Sequence, residues 1–297
     1  MNRRLTELDA AALLQRVAER VPATLRANIV VIGSIATAWA FRDFSGTASV
    51  ATKDIDLLLR PAVDAVLTAE AIGHELLKDG WQPRFPNGIE PGSAQTADDR
   101  LPALRLSPPD GEDEWFVELL AEPPTEQSTR RLWRRFQTEA GVFSLPSFRY
   151  RRVAVHDALQ TDFGLRVARP ANMALAHLLE HAEPDTTPIS SLAGGPPRFT
   201  KDVGRAVALW WLASQQRVLA GNQWLGHWRG ARDALYQKDA AAEIKAAARR
   251  GVASIQAPSY LKEAHAIAVA SVLAPHGTTV DAFQRAHASL TELVGQL

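Results

Sequence analysis

"VVIGSIATAW" (residues 30–39) and "TKDIDLLLRP" (residues 52–61) are the two stretches that decide the fold of this chain. The β-branched run that ends at Gly33 predicts a buried strand, and a helix is expected to begin at the Gly33-Ser34 pair. The second stretch predicts another strand. Because side chains alternate along a strand, Asp54 and Asp56 are expected on one face, with Ile55 in the core.

Two carboxylates on one face repel each other, and they stay ionised only if a cation lies between them. Mg²⁺ is the natural candidate, since it prefers oxygen ligands and is commonly held by one or two carboxylates together with substrate phosphates. Gly33 would let a phosphate approach the backbone. The free N–H groups of the following helix and the Ser34 hydroxyl would then bind that anion.

A third carboxylate is expected on a neighbouring strand, and "WFVELL" offers Glu118 between apolar residues. Glu114 is the competing acid in the same segment. Blander interpretations stay open at this point: the two aspartates could face solvent, Glu118 could be an exposed strand residue, and Ser34 could simply cap a helix.

The composition narrows the class of protein. The chain has 297 residues, of which 46 % are hydrophobic, so it can bury one large core or two ordinary ones. Its formal net charge is zero, which predicts no global attraction to nucleic acid or to a membrane surface. The absence of cysteine excludes disulfides, thiolate metal sites and a cysteine nucleophile. Without a signal-like or membrane-spanning segment, a soluble cytoplasmic protein is expected.

Periodicity predicts an α+β region followed by helices. Strands are expected at 28–33, 54–60, 101–107 and 114–121, with helices between them. Residues 129–140 are interpreted as a short helix or a linker, and residues 142–155 as strand. The Ala-rich pattern after residue 198 predicts helices. We therefore expect one domain at 1–158 and a helical domain at 159–297.

Two further patterns are ambiguous. "RRLWRRF" (130–136) and "RYRR" (149–152) interleave basic and aromatic residues, which suits RNA or phosphate binding but also an ordinary solvated face. His177 and His181 have the spacing of a metal pair on a helix. A zinc site would need a third ligand, so we interpret both as core or surface histidines.

The ordered set "VVIGSIATAWAF…TKDIDLLL…WFVELL" resembles the nucleotidyltransferase superfamily, whose catalytic domain has the DNA polymerase beta-like fold. "LRVARPANMALAHLLEHAE" and "RFTKDVGRAVAL" are similar to the region after the catalytic domain in bacterial AbiEii-type toxin nucleotidyltransferases. The resemblance implies a nucleotidyltransferase-type mixed sheet with flanking helices, followed by a mainly helical second domain.

The resemblance also implies roles for individual residues. Asp54, Asp56 and Glu118 would be the catalytic acids and the ligands of Mg²⁺ or Mn²⁺, with Glu118 as the base. The nucleotide would be bound by a set of residues drawn from both parts of the chain: Gly33, Ser34, Lys53, Lys201 and Asp202. Two departures stand out: many members have aspartate at the third acid, and no lysine lies close to His177.

The function implied by the resemblance is transfer of a nucleoside monophosphate from a nucleoside triphosphate (NTP), such as ATP, to an acceptor hydroxyl. RNA (tRNA especially), a protein side chain or a small molecule is the expected acceptor. A toxin or defence setting, with an antitoxin protein as partner, is implied by the subgroup alone. The alternatives are a nucleotide-binding module of the same fold without catalysis and a glycosyltransferase that uses its DxD for a metal.

Overall fold

A computed structural model describes residues 7–45, 49–85, 90–109, 115–125, 129–189, 192, 194–216 and 220–297. The strands are β1 (Glu7–Asp9), β2 (Ile29–Ile32), β3 (Ser49–Ala51), β4 (Asp54–Leu59), β5 (Gln82–Pro83), β6 (Arg105–Ser107), β7 (Phe116–Ala121), β8 (Arg131–Thr138), β9 (Gly141–Phe148), β10 (Leu159–Gln160) and β11 (Arg166–Val167). Glu114, the competing acid, lies outside the described residues.

The helices alternate with strands in the first half of the chain and dominate the second half. They are α1 (Ala10–Arg20), α2 (Ala23–Arg26), α3 (Gly33–Ala40), α4 (Arg42–Ser45), α5 (Ala65–Lys78), α6 (Arg151–Val155), α7 (Pro170–Glu180), α8 (Arg198–Gln215), α9 (Ala220–Leu235), α10 (Ala241–Ala253), α11 (Pro258–Val269) and α12 (Val280–Gly295). The α+β class and the helical second half are therefore confirmed.

The large sheet is mixed, with the order β10-β11-β2-β4-β7-β6-β5, and β9 joins it by pairing with β7. At its centre, β2 runs antiparallel to β4, and β4 runs parallel to β7. All four residues of β2 are buried, and the last three residues of β4 and of β7 are buried as well. Only the first halves of β4 and β7 alternate between buried and partly exposed residues, and these halves carry the acids.

The prediction of a helix or linker at 129–140 is wrong, because Arg131–Thr138 is strand β8. It pairs antiparallel with β9 along its whole length, and Phe136 lies opposite Phe143. Pairing and aromatic packing across the hairpin outweigh the weak helical pattern of the segment. Strand character in 142–155 also ends early, since α6 follows β9. The short strand β3 precedes β4 and pairs antiparallel with β1.

Buried apolar side chains of the sheet and of the later helices form one continuous cluster. The Trp228 indole in α9 is fully buried and donates a hydrogen bond of 2.7 Å to the carbonyl of Ala171 in α7. No helix in the described ranges combines the length and the apolar character that crossing a membrane requires.

Helices α7 and α10 approach so closely that only glycine fits at their contact. A Cβ on Gly251 would lie 1.9 Å from the carbonyl oxygen of Leu178, which is backbone and has no room to move aside. Gly230 in α9 would meet nothing within 4 Å. The close packing of α7 against α10 thus depends on one missing side chain.

We predict that Gly251→Ala lowers the free energy of unfolding by at least ~2 kcal/mol, because the two helices must separate to admit the methyl group. Urea titration measures the change. The control Gly230→Ala should leave stability unchanged or raise it by up to ~1 kcal/mol, since alanine is the better helix former. Equal effects of the two substitutions would show that the close approach is not a constraint.

Candidate active site

Three carboxylates meet on adjacent strands at one edge of the buried core. Asp56 in β4 lies directly beside Glu118 in β7, and Asp54 lies beside Phe116 two positions earlier. On the other side of β4, Asp56 is paired with Ile32, the last residue of β2 before Gly33. Paired positions of neighbouring strands point to the same face. The structure therefore brings together Gly33 and the three predicted acids.

Gly33 has two reasons to be glycine. Its φ of +76° lies in the left-handed region, and a Cβ there would lie 2.6 Å from Oδ2 of Asp56. Helix α3 begins at Gly33, and the Thr37 hydroxyl, one turn later, donates to the Gly33 carbonyl. The close approach places the Asp56 carboxylate against the start of this helix, where unpaired N–H groups favour negative charge.

The three acids differ in their partners. Asp54 accepts a hydrogen bond of 2.6 Å from the Thr52 hydroxyl. Glu118 forms an ion pair with Arg105 of β6, with 2.7 Å between Nε and Oε2. Within the described part of the chain, no lysine or arginine lies at ion-pair distance from Asp54 or Asp56. Arg105 was not predicted, although its strand was, because the sequence does not show which strand pairs with β7.

Electrostatics at this edge favour uptake of positive charge. Burial and the repulsion of Asp54 and Glu118 raise the pKa of Asp56 to about 8, against the opposing charges of Arg205 and Arg151. Burial also raises the pKa of Glu118, with Asp54 adding to the rise while Arg105 and Lys201 oppose it. Ionised carboxylates in this arrangement are destabilised until a cation joins them.

Helices α6 and α8 contribute positively charged side chains to the site. Arg205 in α8 donates a hydrogen bond of 3.1 Å from Nη2 to Oγ of Ser34, which is buried. Lys201 lies one turn earlier on the same face of α8, within electrostatic range of Glu118. The positive charge of Arg151 in α6 opposes the rise in the pKa of Asp56. Arg205 and Arg151 were missed by the sequence analysis, although the four-residue spacing from Lys201 to Arg205 was a visible signal.

The other two predicted nucleotide-binding residues are placed differently. Lys53 is exposed at the start of β4. Asp202 is buried and accepts from Nε2 of His181 at 3.0 Å, while Nδ1 of His181 faces Nη2 of Arg130 at 3.1 Å. Burial tends to raise the pKa of Asp202, but the His181 hydrogen bond and nearby positive charge hold it well below its usual value. Asp202 thus belongs to a buried network behind α8.

Both histidines of the predicted pair are buried. His177 is 2 % exposed, and its Nδ1 finds no partner in the described part of the chain. Burial, together with the charge of Arg151, lowers the pKa of His177 well below its usual value, so the ring is neutral. A neutral, buried imidazole near Arg205 and Arg151 lines the rear of the site.

Several arginines of the two basic segments have partners within the protein. Arg130 and Arg131 form ion pairs with Glu180 and Asp185, both at 3.1 Å. Three further arginines of these segments also have partners within the protein: Arg134 donates to the carbonyl of Ala62, and Arg135 and Arg152 form ion pairs with Asp98 and Glu122. These arginines therefore stabilise the fold and do not form a free basic surface.

The residues present fit a cation only in part. No group of three or more His, Asp or Glu side chains in the described ranges is arranged to hold a metal ion. Glu118 is turned to Arg105, so the carboxylates left for a cation are Asp54 and Asp56. Two carboxylates completed by substrate phosphates are the usual way in which proteins hold Mg²⁺.

Comparisons of the chain with protein-family models, with curated proteins and with solved structures gave no match.

We predict that Gly33→Ala lowers the free energy of unfolding by ~1–3 kcal/mol more than Gly194→Ala does. Both glycines have a φ near +80°, so both substitutions carry the same backbone strain, but a Cβ on Gly194 meets nothing within 4 Å. The difference between the two variants in urea titration isolates the crowding against Asp56. Equal losses would contradict this close approach.

We also predict that Asp56→Asn stabilises the folded protein at high pH. The raised pKa, about 8 instead of 3.8, means that the folded state gains stability from the Asp56 proton below pH 4 and loses it as the pH rises to 8. Asparagine carries no charge at any pH. In EDTA, its advantage in the free energy of unfolding should grow between pH 4 and pH 8, by up to ~5 kcal/mol at ~1.4 kcal/mol for each unit by which the pKa is raised.

The matched control is Asp162→Asn, which removes an exposed carboxylate. Its unfolding curve should follow that of the unmodified protein at every pH. An Asp56→Asn variant whose stability relative to the unmodified protein does not change between pH 5 and pH 9 would show that the fold already compensates the charge of Asp56.

Proposed function

We propose that the protein is a Mg²⁺-dependent nucleotidyltransferase that moves a nucleoside monophosphate from an NTP to an acceptor hydroxyl. The observation that carries the proposal is the arrangement of Asp54, Asp56 and Glu118 on β4 and β7 beside the glycine start of α3. Carboxylates, a helix N-terminus and cations on one face suit a metal-bound polyphosphate. The resemblance of the same residues to the superfamily supports this proposal.

Each group has a role in binding. Asp54 and Asp56 would hold Mg²⁺, which when bound neutralises the charge of the phosphates and of the carboxylates. The N–H groups at the start of α3 and the Ser34 hydroxyl would bind phosphate oxygens. Lys201 and Arg205 would approach the same phosphates from α8, since Arg205 already contacts Ser34. Arg205 would then exchange the Ser34 hydroxyl for a phosphate oxygen.

The reaction is an in-line displacement at the α-phosphorus. The acceptor oxygen forms a bond to that phosphorus, and the bond to the oxygen that bridges the α- and β-phosphates breaks. Pyrophosphate leaves with the electron pair of the broken bond, and the acceptor proton passes to the Glu118 carboxylate. In such transfers, the protein contributes mainly positioning and electrostatic stabilisation. The Glu118–Arg105 ion pair would hold the base in place.

The acceptor is the open part of the proposal, and fold alone does not determine it. RNA, a protein side chain and a small-molecule hydroxyl all follow from the resemblance, as does a cytoplasmic toxin with an antitoxin partner. The division into a catalytic domain at 1–158 and a helical domain at 159–297 remains part of the proposal, with β10 and β11 of the second part adding to the sheet of the first beside β2.

A second function, that of a nucleotide-binding module without catalysis, is favoured by one observation. Oε2 of Glu118 is engaged by Arg105 at 2.7 Å, and this ion pair would make the carboxylate a weaker base. Such a module would bind an NTP with Mg²⁺ through Asp54, Asp56 and α3, and would transfer nothing.

We expect label transfer when the protein is incubated with Mg²⁺ and each of four α-labelled NTPs. Total tRNA, total protein and a mixture of small polyols are offered as acceptors. Asp54→Asn and Asp56→Asn should each reduce transfer by at least ~10²-fold, because each removes a ligand of the cation, while Asp162→Asn should match the unmodified protein. Binding of NTP is measured in parallel by calorimetry.

The outcomes separate the candidates. Label on one acceptor that depends on both aspartates supports the enzyme. NTP binding with Mg²⁺ and no label on any acceptor favours the binding module. A folded protein that binds no NTP in the presence of Mg²⁺ contradicts both functions.

A further inference from the structure

The pairing of β6 with β7 fixes the position of Arg105. In the antiparallel pair of β6 and β7, Arg105 lies directly opposite Glu118, so the ion pair follows from strand register and not from a chance surface contact. The Arg105 guanidinium also lies over the ring of Phe116, 5.3 Å from its centroid. The Glu118 side chain is 15 % exposed and that of Arg105 is 31 % exposed. A charge-assisted hydrogen bond in such partly buried surroundings is strong.

The charges of the site divide into two parts. Glu118 faces a guanidinium at 2.7 Å, whereas the partner of Asp54 among the described residues is a neutral hydroxyl. Asp56 is faced by Arg205 and Arg151 from a distance, and Arg205 is bonded to Ser34. Two carboxylates thus remain without a cation at contact distance in the described part of the chain. Once ionised, two carboxylates match the charge of one divalent ion.

Resting on the proposed function, we infer that this site binds one divalent cation, through Asp54 and Asp56, and that Arg105 permanently takes the place of a second cation at Glu118. A site in which three carboxylates share two metal ions needs all three free to coordinate. Here the strand register pairs one of the three carboxylates, Glu118, with Arg105. Glu118 becomes a positioned carboxylate with Oε1 left to face the acceptor, and it is not a metal ligand.

Mn²⁺ is the probe, because its free ion has an electron paramagnetic resonance signal that is lost on binding. The full-length protein is titrated with Mn²⁺ without nucleotide, and bound ions are counted. We expect one site in the unmodified protein and none in Asp54→Asn/Asp56→Asn. Glu118→Gln should keep one site, with less than a threefold change in Kd. Arg105→Met should gain a second site, because the freed Glu118 carboxylate can then coordinate.

Arg105→Lys serves as the conservative control and should keep one site, since a cation still faces Glu118. Thermal melting shows that each variant is folded. If Arg105→Met does not fold, Glu118→Gln decides alone: loss of Mn²⁺ binding in that variant overturns the inference. Two sites in the unmodified protein, or one site in folded Arg105→Met, overturn it as well, while the proposed function stands. No Mn²⁺ site and no NTP binding in the unmodified protein contradict the proposed function itself.

Discussion

Repulsion among three carboxylates on two neighbouring strands is the constraint around which this structure is organised. Asp56 lies beside Glu118 and two residues from Asp54, so their charges cannot separate without breaking the register of β4 and β7. Positive groups at fixed positions oppose this repulsion: the start of α3, Arg105 from β6, and Lys201 and Arg205 from α8. The compensation is incomplete, as the raised pKa of Asp56 shows. The uncompensated charge is what makes this edge of the sheet a candidate for binding.

The helical half of the chain is fixed to the site through buried polar contacts as well as apolar packing. Because an arginine is always protonated, Nδ1 of His181 must accept from Arg130, and Nε2–H must therefore donate to Asp202. This arrangement joins β8, α7 and α8. Asp202 and Lys201 are consecutive on a helix and point about 100° apart, so anchoring Asp202 towards α7 turns Lys201 and Arg205 towards the carboxylates.

The site residues on strands could be predicted because period-two alternation is a local property. Asp54, Asp56 and Glu118 were found from it, and Gly33 was found from the break between strand and helix. Arg105, Arg151 and Arg205 could not be found in this way, since strand pairing and helix docking bring them to the site. The strand at Arg131–Thr138 was missed for a related reason, because its pairing with β9 outweighs local propensity. The placement of Asp202 was foreseeable: neighbours on a helix cannot share a face.

The division of charge between Arg105 and the two aspartates has a consequence for how the site would respond to substrate. An arginine on a paired strand is a permanent cation, so Glu118 already has a positively charged partner in the free protein. Among the residues that the structure describes, Asp54 and Asp56 have no cation at ion-pair distance, and Mg²⁺ held by two carboxylates binds best when phosphate oxygens complete its coordination. Charge balance at this edge would then be reached only when metal and nucleotide are bound together. Arg205, which rests on Ser34 in the free protein, would change partners at the same moment.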